Sequence, residues 1–203
     1  MKLHVTLTSP YARIVRATIL EHGLQDRIEV VPARTRETCS PYYQLAPSGR
    51  VPYLERDDGP GLEETDVICA YLDHISQRAA LVRNPADADW HAGRLHALAR
   101  SLLDGLAVWV REKRRPENER SPTILAHEAD RTRRLLDQWE AEIKSPAIRD
   151  GFTTTHMTLF VGLDVAARML GEEALASRPD LADWYAELGQ RPSLIATRPP
   201  ERT

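Results

Sequence analysis

Cysteine is nearly absent. The chain has two in 203 residues, Cys39 and Cys69, and neither belongs to a CxxC pair. A disulfide framework and a thiolate zinc site therefore find no support, and a reducing compartment fits. Seven histidines are present without metal-ligand spacing, so no metal is expected. Long hydrophobic runs are missing as well. No stretch approaches the roughly 18 apolar residues of a membrane span, and "MKLHVTLTSP" carries no apolar core of signal-peptide length. These absences lead to the expectation of a cytoplasmic chain with no membrane partner. Charge of one sign is also lacking: the net charge of -3 gives no field that would draw nucleic acid or an anionic membrane. The basic run from Arg111 to Arg115 has acids nearby and reads as a solvated face. Internal repeats and low-complexity tracts are not evident.

What is present is a patterned, foldable chain with 42% apolar and 28% charged residues. Its length suffices for one large or two small cores. Leu3, Val5 and Leu7 alternate within Lys2 to Thr8 and predict a strand. A helix from Pro10 to His22 follows, with Ser9 as its cap and Gly23 just beyond its end. Ile28 to Val31 reads as a second strand, making a β-α-β unit and hence a parallel pair. Residues 36 to 48 are poorly periodic, with a short helix ending near Leu45. Val51 to Arg56 and Gly61 to Glu63 then read as a hairpin turning at Asp57-Asp58-Gly59. Thr65 caps a helix whose apolar face is Val67, Ile68, Tyr71, Leu72 and Ile75.

After about residue 78 the pattern changes. A linker over 79–87, broken at Asn84-Pro85, leads into a region without convincing strands. Helical periodicity runs from about 88 to 113, 123 to 144, 155 to 170 and 179 to 189. The fold class is α/β plus all-α: a small mixed domain at 1–78 followed by a helical bundle at 88–203.

Three short segments carry chemistry. "SPYA" at Ser9 to Ala12 sits where a CPYC dithiol would lie in a thioredoxin-like redox domain, with both sulfurs replaced. Thiol exchange is thereby lost. A hydroxyl at a helix N-terminus nevertheless favours a thiolate that a ligand brings. Val51-Pro52 would, if cis, turn the N-H and C=O of Val51 sideways as an edge for an extended peptide; otherwise Pro52 simply starts a strand. Glu64-Thr65 either caps a helix or forms a clamp, the helix end and hydroxyl taking a carboxylate and Glu64 an ammonium.

In this order and spacing the segments resemble the glutathione S-transferase superfamily. "SPYARIVR", "LAPSGRVPYL", "LEETDVICAYLD" and "RPDLADWYAELGQRPSLIATRPP" look like its motifs and span nearly the whole chain. The resemblance implies a thioredoxin-like domain joined to a helical bundle, a homodimer, and glutathione as co-substrate. Ser9 matches the serine that hydrogen-bonds the glutathione sulfur in serine-type members. Val51, held by a cis Pro52, matches the residue whose backbone pairs with the cysteinyl part. Glu64 and Thr65 match the γ-glutamyl binders, and Arg50 takes a place usually held by Lys beside the glycyl end. Tyr11 would border the pocket for a hydrophobic or electrophilic small molecule. Leu103, Ala107, Trp109 and Arg111 are helix-face candidates for that pocket, with core packing as the competing role.

Two positions depart from the family pattern. Ala46 stands where Asn usually precedes the Pro-x-Gly turn, which is expected to loosen it. Thr155-His156-Met157-Thr158 aligns with a Ser/Thr-x-x-Asp capping box and lacks its acid. The implied activity is attack of activated glutathione on an electrophilic carbon, with a detoxifying transferase as the leading reading. A glutathione-dependent cis/trans isomerase, with Arg13 or Arg111 receiving a diacid, and a non-catalytic binding protein are the alternatives.

Overall fold

The computed structural model describes residues 1–82, 89–171 and 173–200. The chain divides into two compact units, one comprising Met1–Arg83 with Arg191–Thr203 and the other Asn84–Gln190. The break expected at Asn84-Pro85, within the linker at 79–87, lies outside the described residues.

The first unit is built on four strands, β1 (Lys2–Val5), β2 (Glu29–Pro32), β3 (Tyr53–Glu55) and β4 (Leu62–Glu63), in the order β2-β1-β3-β4. β1 and β2 run parallel, as the β-α-β reading requires, and β1-β3 and β3-β4 run antiparallel. Leu3, Val5 and Leu54 point to one face and are at most 1% exposed. That face forms the core with α1 (Pro10–His22) and α3 (Thr65–Ile75), which pack on each other.

Local chemistry sets the ends of α1. Ser9 Oγ accepts the Ala12 N-H at 3.2 Å, and Pro10 fills the first turn without losing a bond. At the other end Gly23 adopts φ 67°, letting its N-H reach Leu20 O and the Leu24 N-H reach Ile19 O. This left-handed closure suits a residue with no Cβ. α3 starts differently from expectation. Glu64, not Thr65, is its cap residue, and Thr65 is the first helical residue, buried at 2%. Val67, expected in the core, is 50% exposed, while Cys69 is fully buried and contacts Thr18 Oγ1 at 3.4 Å. A small thiol fits between two closely packed helices.

The last helix, α10 (Pro192–Ala196), belongs with this unit, whereas the sequence reading placed it in the bundle at 88–203. Its polar contacts explain the difference. Arg13, 1% exposed on α1, donates from Nη2 to Leu194 O at 3.1 Å. Arg191 grips Glu21 with two hydrogen bonds of 2.7 Å, and the Ser193 hydroxyl donates to the same carboxylate.

The regular elements of the second unit, among its described residues, are all helices: α4 (Trp90–Lys113), α5 (Pro122–Glu142), α6 (Pro146–Arg149), α7 (Thr154–Leu170), α8 (Glu173–Ala176) and α9 (Pro179–Leu188), with a short 3-10 turn at Glu117–Glu119. With α2 (Tyr42–Leu45) of the first unit, these are the elements of the expected α/β plus all-α class. α4 packs along both α5 and α7. α7 is the central helix, buried without interruption from Thr154 to Leu163. A Cβ at Gly162 would already touch Leu102 Cδ2 at 3.4 Å, so the two helices approach closely there. Trp109, Trp139 and Trp184 lie in this unit's core, whereas Trp90 is 80% exposed.

The cap of α7 lies two residues before the expected position. Thr153 is the cap residue and His156 completes the box. The Thr153 N-H donates to His156 Nδ1 at 3.1 Å, which leaves Nε2-H to donate to Ile148 O at 2.9 Å. An imidazole does here what the missing acid would have done and ties down the preceding helix as well.

Candidate functional site

Strand directions gather the three sequence segments. β1 and β4 both run opposite to β3, with His4 beside Tyr53 and Tyr53 beside Glu63. The end of β1 leading to Ser9, the start of β3 preceded by Val51-Pro52, and the end of β4 leading to Glu64 and Thr65 therefore lie at one end of the sheet. The N-termini of α1 and α3 begin from that same end. Two helix ends carrying partial positive charge thus face one region, suited to thiolate or carboxylate.

Ser9 is half-buried, and its cap bond uses one oxygen lone pair. The hydroxyl proton remains available to an acceptor, so cap and donor functions coexist. Val51-Pro52 is a cis peptide bond. Among the described residues, neither the N-H nor the C=O of Val51 enters a hydrogen bond. Glu64 has φ 68° and ψ 129°, a conformation outside the usual wells for a side-chain-bearing residue. Such geometry turns the backbone sharply just before the first turn of α3. Arg50 is exposed, whereas Pro52 and Thr65 are buried.

The turn before Arg50 is tight despite Ala46. Gly49 N-H reaches Ala46 O at 2.9 Å, and Gly49 at φ 65° lies against Tyr43, whose Cε1 would meet a Cβ at 2.9 Å. Ser48 Oγ donates to Glu63 Oε1 at 2.9 Å and accepts the Arg50 N-H at 3.1 Å. The Tyr42 hydroxyl donates to Arg50 O. Burial, then the nearby Glu63 carboxylate and Tyr53, push the Tyr42 phenol upward, so it stays a donor at all ordinary pH. Tyr42, Ser48 and Glu63 are supporting residues that periodicity did not reveal. A four-residue helix is too short for a pattern, and their partners come from other segments.

The pocket candidates are divided between the units. Tyr11 is half-buried in the first; Ala107 is half-buried and Arg111 exposed in the second. Leu103 and Trp109, 0% and 4% exposed, are core residues. Arg13 is held in the core on Leu194 O and offers no open cation to a diacid. Cys39 is exposed and Cys69 buried, and the two form no disulfide. Among the described residues no group of three or more His, Cys, Asp or Glu is gathered as for a metal, and no helix is long and apolar enough to cross a membrane.

Residues 8–75 match the family model described as the glutathione S-transferase N-terminal domain. Over 99% of the chain it is 26% identical to an uncharacterised GST-like protein, YibF, of Escherichia coli (strain K12), covering 100% of that protein. A glutathione transferase family member from Pseudomonas fluorescens Pf-5, solved with bound glutathione, superposes with a TM-score of 0.89 at 29% identity, covering 98% of this chain and 99% of that one. A structure from the same organism with bound S-(propanoic acid)-glutathione gives a TM-score of 0.85 at 29% identity, covering 99% and 100%. Together these comparisons support membership of the glutathione S-transferase superfamily, and the fold is glutathione S-transferase-like.

Proposed function

We propose that this chain, with its glutathione S-transferase-like fold and glutathione-bound neighbours, is a glutathione transferase of the serine type. The reading is carried by the convergence of Ser9, cis Val51-Pro52 and Glu64-Thr65 at one end of the sheet, where α1 and α3 begin. In this reading the cysteinyl backbone of glutathione pairs with Val51, its γ-glutamyl end meets Glu64 and Thr65, and Arg50 lies beside the glycyl carboxylate.

The chemistry is thiolate formation followed by nucleophilic attack. The glutathione thiol gives its proton to solvent, and the Ser9 O-H donates a hydrogen bond to the resulting sulfur anion. A carbon-sulfur bond then forms at an electrophilic carbon. Either a leaving group departs with its electron pair or, in conjugate addition, the adjacent carbanion takes a proton from water. Tyr11 is proposed to border the electrophile, and a cytoplasmic homodimer with a detoxifying role is the corresponding cellular expectation.

The test is thermal denaturation with glutathione, followed by a panel of aryl halides, activated alkenes and a maleyl-type diacid. Saturation at a hundred times Kd raises stability by about 2.7 kcal/mol, easily read as a shift in Tm. Binding with turnover of halides or alkenes supports the transferase. Turnover of the diacid alone would transfer the assignment to an isomerase, and binding without turnover to a non-catalytic protein. No shift at millimolar glutathione refutes the proposal.

A further inference from the structure

Arg50, in the turn that precedes β3, has both polar backbone groups engaged by side chains. Its N-H goes to Ser48 Oγ at 3.1 Å, and its C=O receives the Tyr42 hydroxyl. Ser48 is in turn fixed by Glu63 at 2.9 Å, immediately before the unusual backbone of Glu64. Tyr43, the next residue of α2, packs on Gly49 and accepts the Arg36 N-H at 2.7 Å. The peptide on each side of Arg50 is therefore held in place, and the following residue is Val51.

We infer that Tyr42 and Ser48 are positioning residues that clamp the Arg50 backbone, thereby fixing the Val51 edge against which a tripeptide lies. The inference rests on the glutathione reading above. Tyr42 is the stronger half because its ring is buried at 5% among His4, Tyr43 and Tyr53, and its phenol stays protonated. Ser48 is exposed, so water replaces much of what its hydroxyl provides. Neither residue needs to touch the ligand. Each acts by narrowing the positions the edge samples before the tripeptide arrives, which lowers the ordering cost of binding.

The experiment measures glutathione Kd by calorimetry and KM and kcat with an electrophile that the parent turns over. Tyr42→Phe keeps the ring and deletes the hydroxyl; it should raise Kd and KM about fivefold with kcat unchanged, the size of one lost hydrogen bond. Ser48→Ala should raise both about two- to threefold, and Ser48→Thr should restore them. The double variant should lose less than the product of the two single factors, because both hold one backbone unit. If Tyr42→Phe does not fold, the Ser48→Ala and Ser48→Thr pair decides the matter. A parent that binds glutathione, beside folded variants with its Kd, overturns the clamp alone. A parent that binds no glutathione overturns the functional reading and the clamp's role with it.

Discussion

Replacement of Ser9 separates capping from chemistry if two substitutions are compared. Ser9→Ala removes the cap bond to the Ala12 N-H and the proton offered to sulfur. The lost cap costs about 1 kcal/mol of stability, whereas Ser9→Gly loses only a few tenths. Both variants lose the hydroxyl donor. A free thiol titrates near 8.5, so it is only about a few per cent ionised at pH 7. Making it mostly thiolate takes about two units, or about 2.7 kcal/mol. A hydrogen bond to a charged acceptor contributes about 1.5 to 3 kcal/mol, and the end of α1 about 0.3 to 1. Ser9 is half-buried, so the lower part of that range applies. Removing the hydroxyl should then raise the bound thiol by about one unit and cut kcat about tenfold at neutral pH. The assay is ultraviolet titration of the bound thiolate, with Tm measured in parallel. Ser9→Gly should show the full titration shift with nearly parental Tm, and Ser9→Ala the same shift with a lower Tm. A bound thiol that titrates identically in parent and Ser9→Gly refutes the reasoning.

Two further predictions concern the scaffold. Burial raises the Glu21 carboxyl, but the hydrogen bonds from Arg191 and Ser193 outweigh it, so the folded value lies below the usual carboxylate range. Its contribution is therefore complete above the unfolded value of about 4.3 and is lost as pH falls through the folded one. Glu21→Gln should lower Tm at pH 7 and converge with the parent once the pH has fallen below the folded value of the carboxyl, as followed by circular dichroism across pH. His156→Ala leaves the Thr153 N-H and Ile148 O without the partners they now have. At about 1 to 3 kcal/mol for each such group, Tm should fall by several degrees, with His156→Asp recovering part of the loss by accepting from Thr153. Equal stability of the Ala and Asp variants would count against the box.

The sequence by itself determined the elements whose signals are local. Ser9, Pro10 and Gly23 mark both ends of α1 because capping and left-handed closure are decided within a few bonds. The long helices of the second unit follow from sustained periodicity, and the turn at Asp57-Asp58-Gly59 follows from its residues. The tertiary structure decided what depends on distant neighbours. Val67 has the same apolar chemistry as Ile68, yet only the packing against α1 selects which is buried. Arg13 reads as a candidate cation for a diacid until α10 returns to accept it, and Thr65 looks like a cap until Glu64 takes that place. The supports around Arg50 come from α2, the turn and β4, segments that meet only once the sheet has formed. Hydrogen bonds and burial between remote segments leave no periodic mark in a chain, which is why the candidate residues were legible and the framework holding them was not.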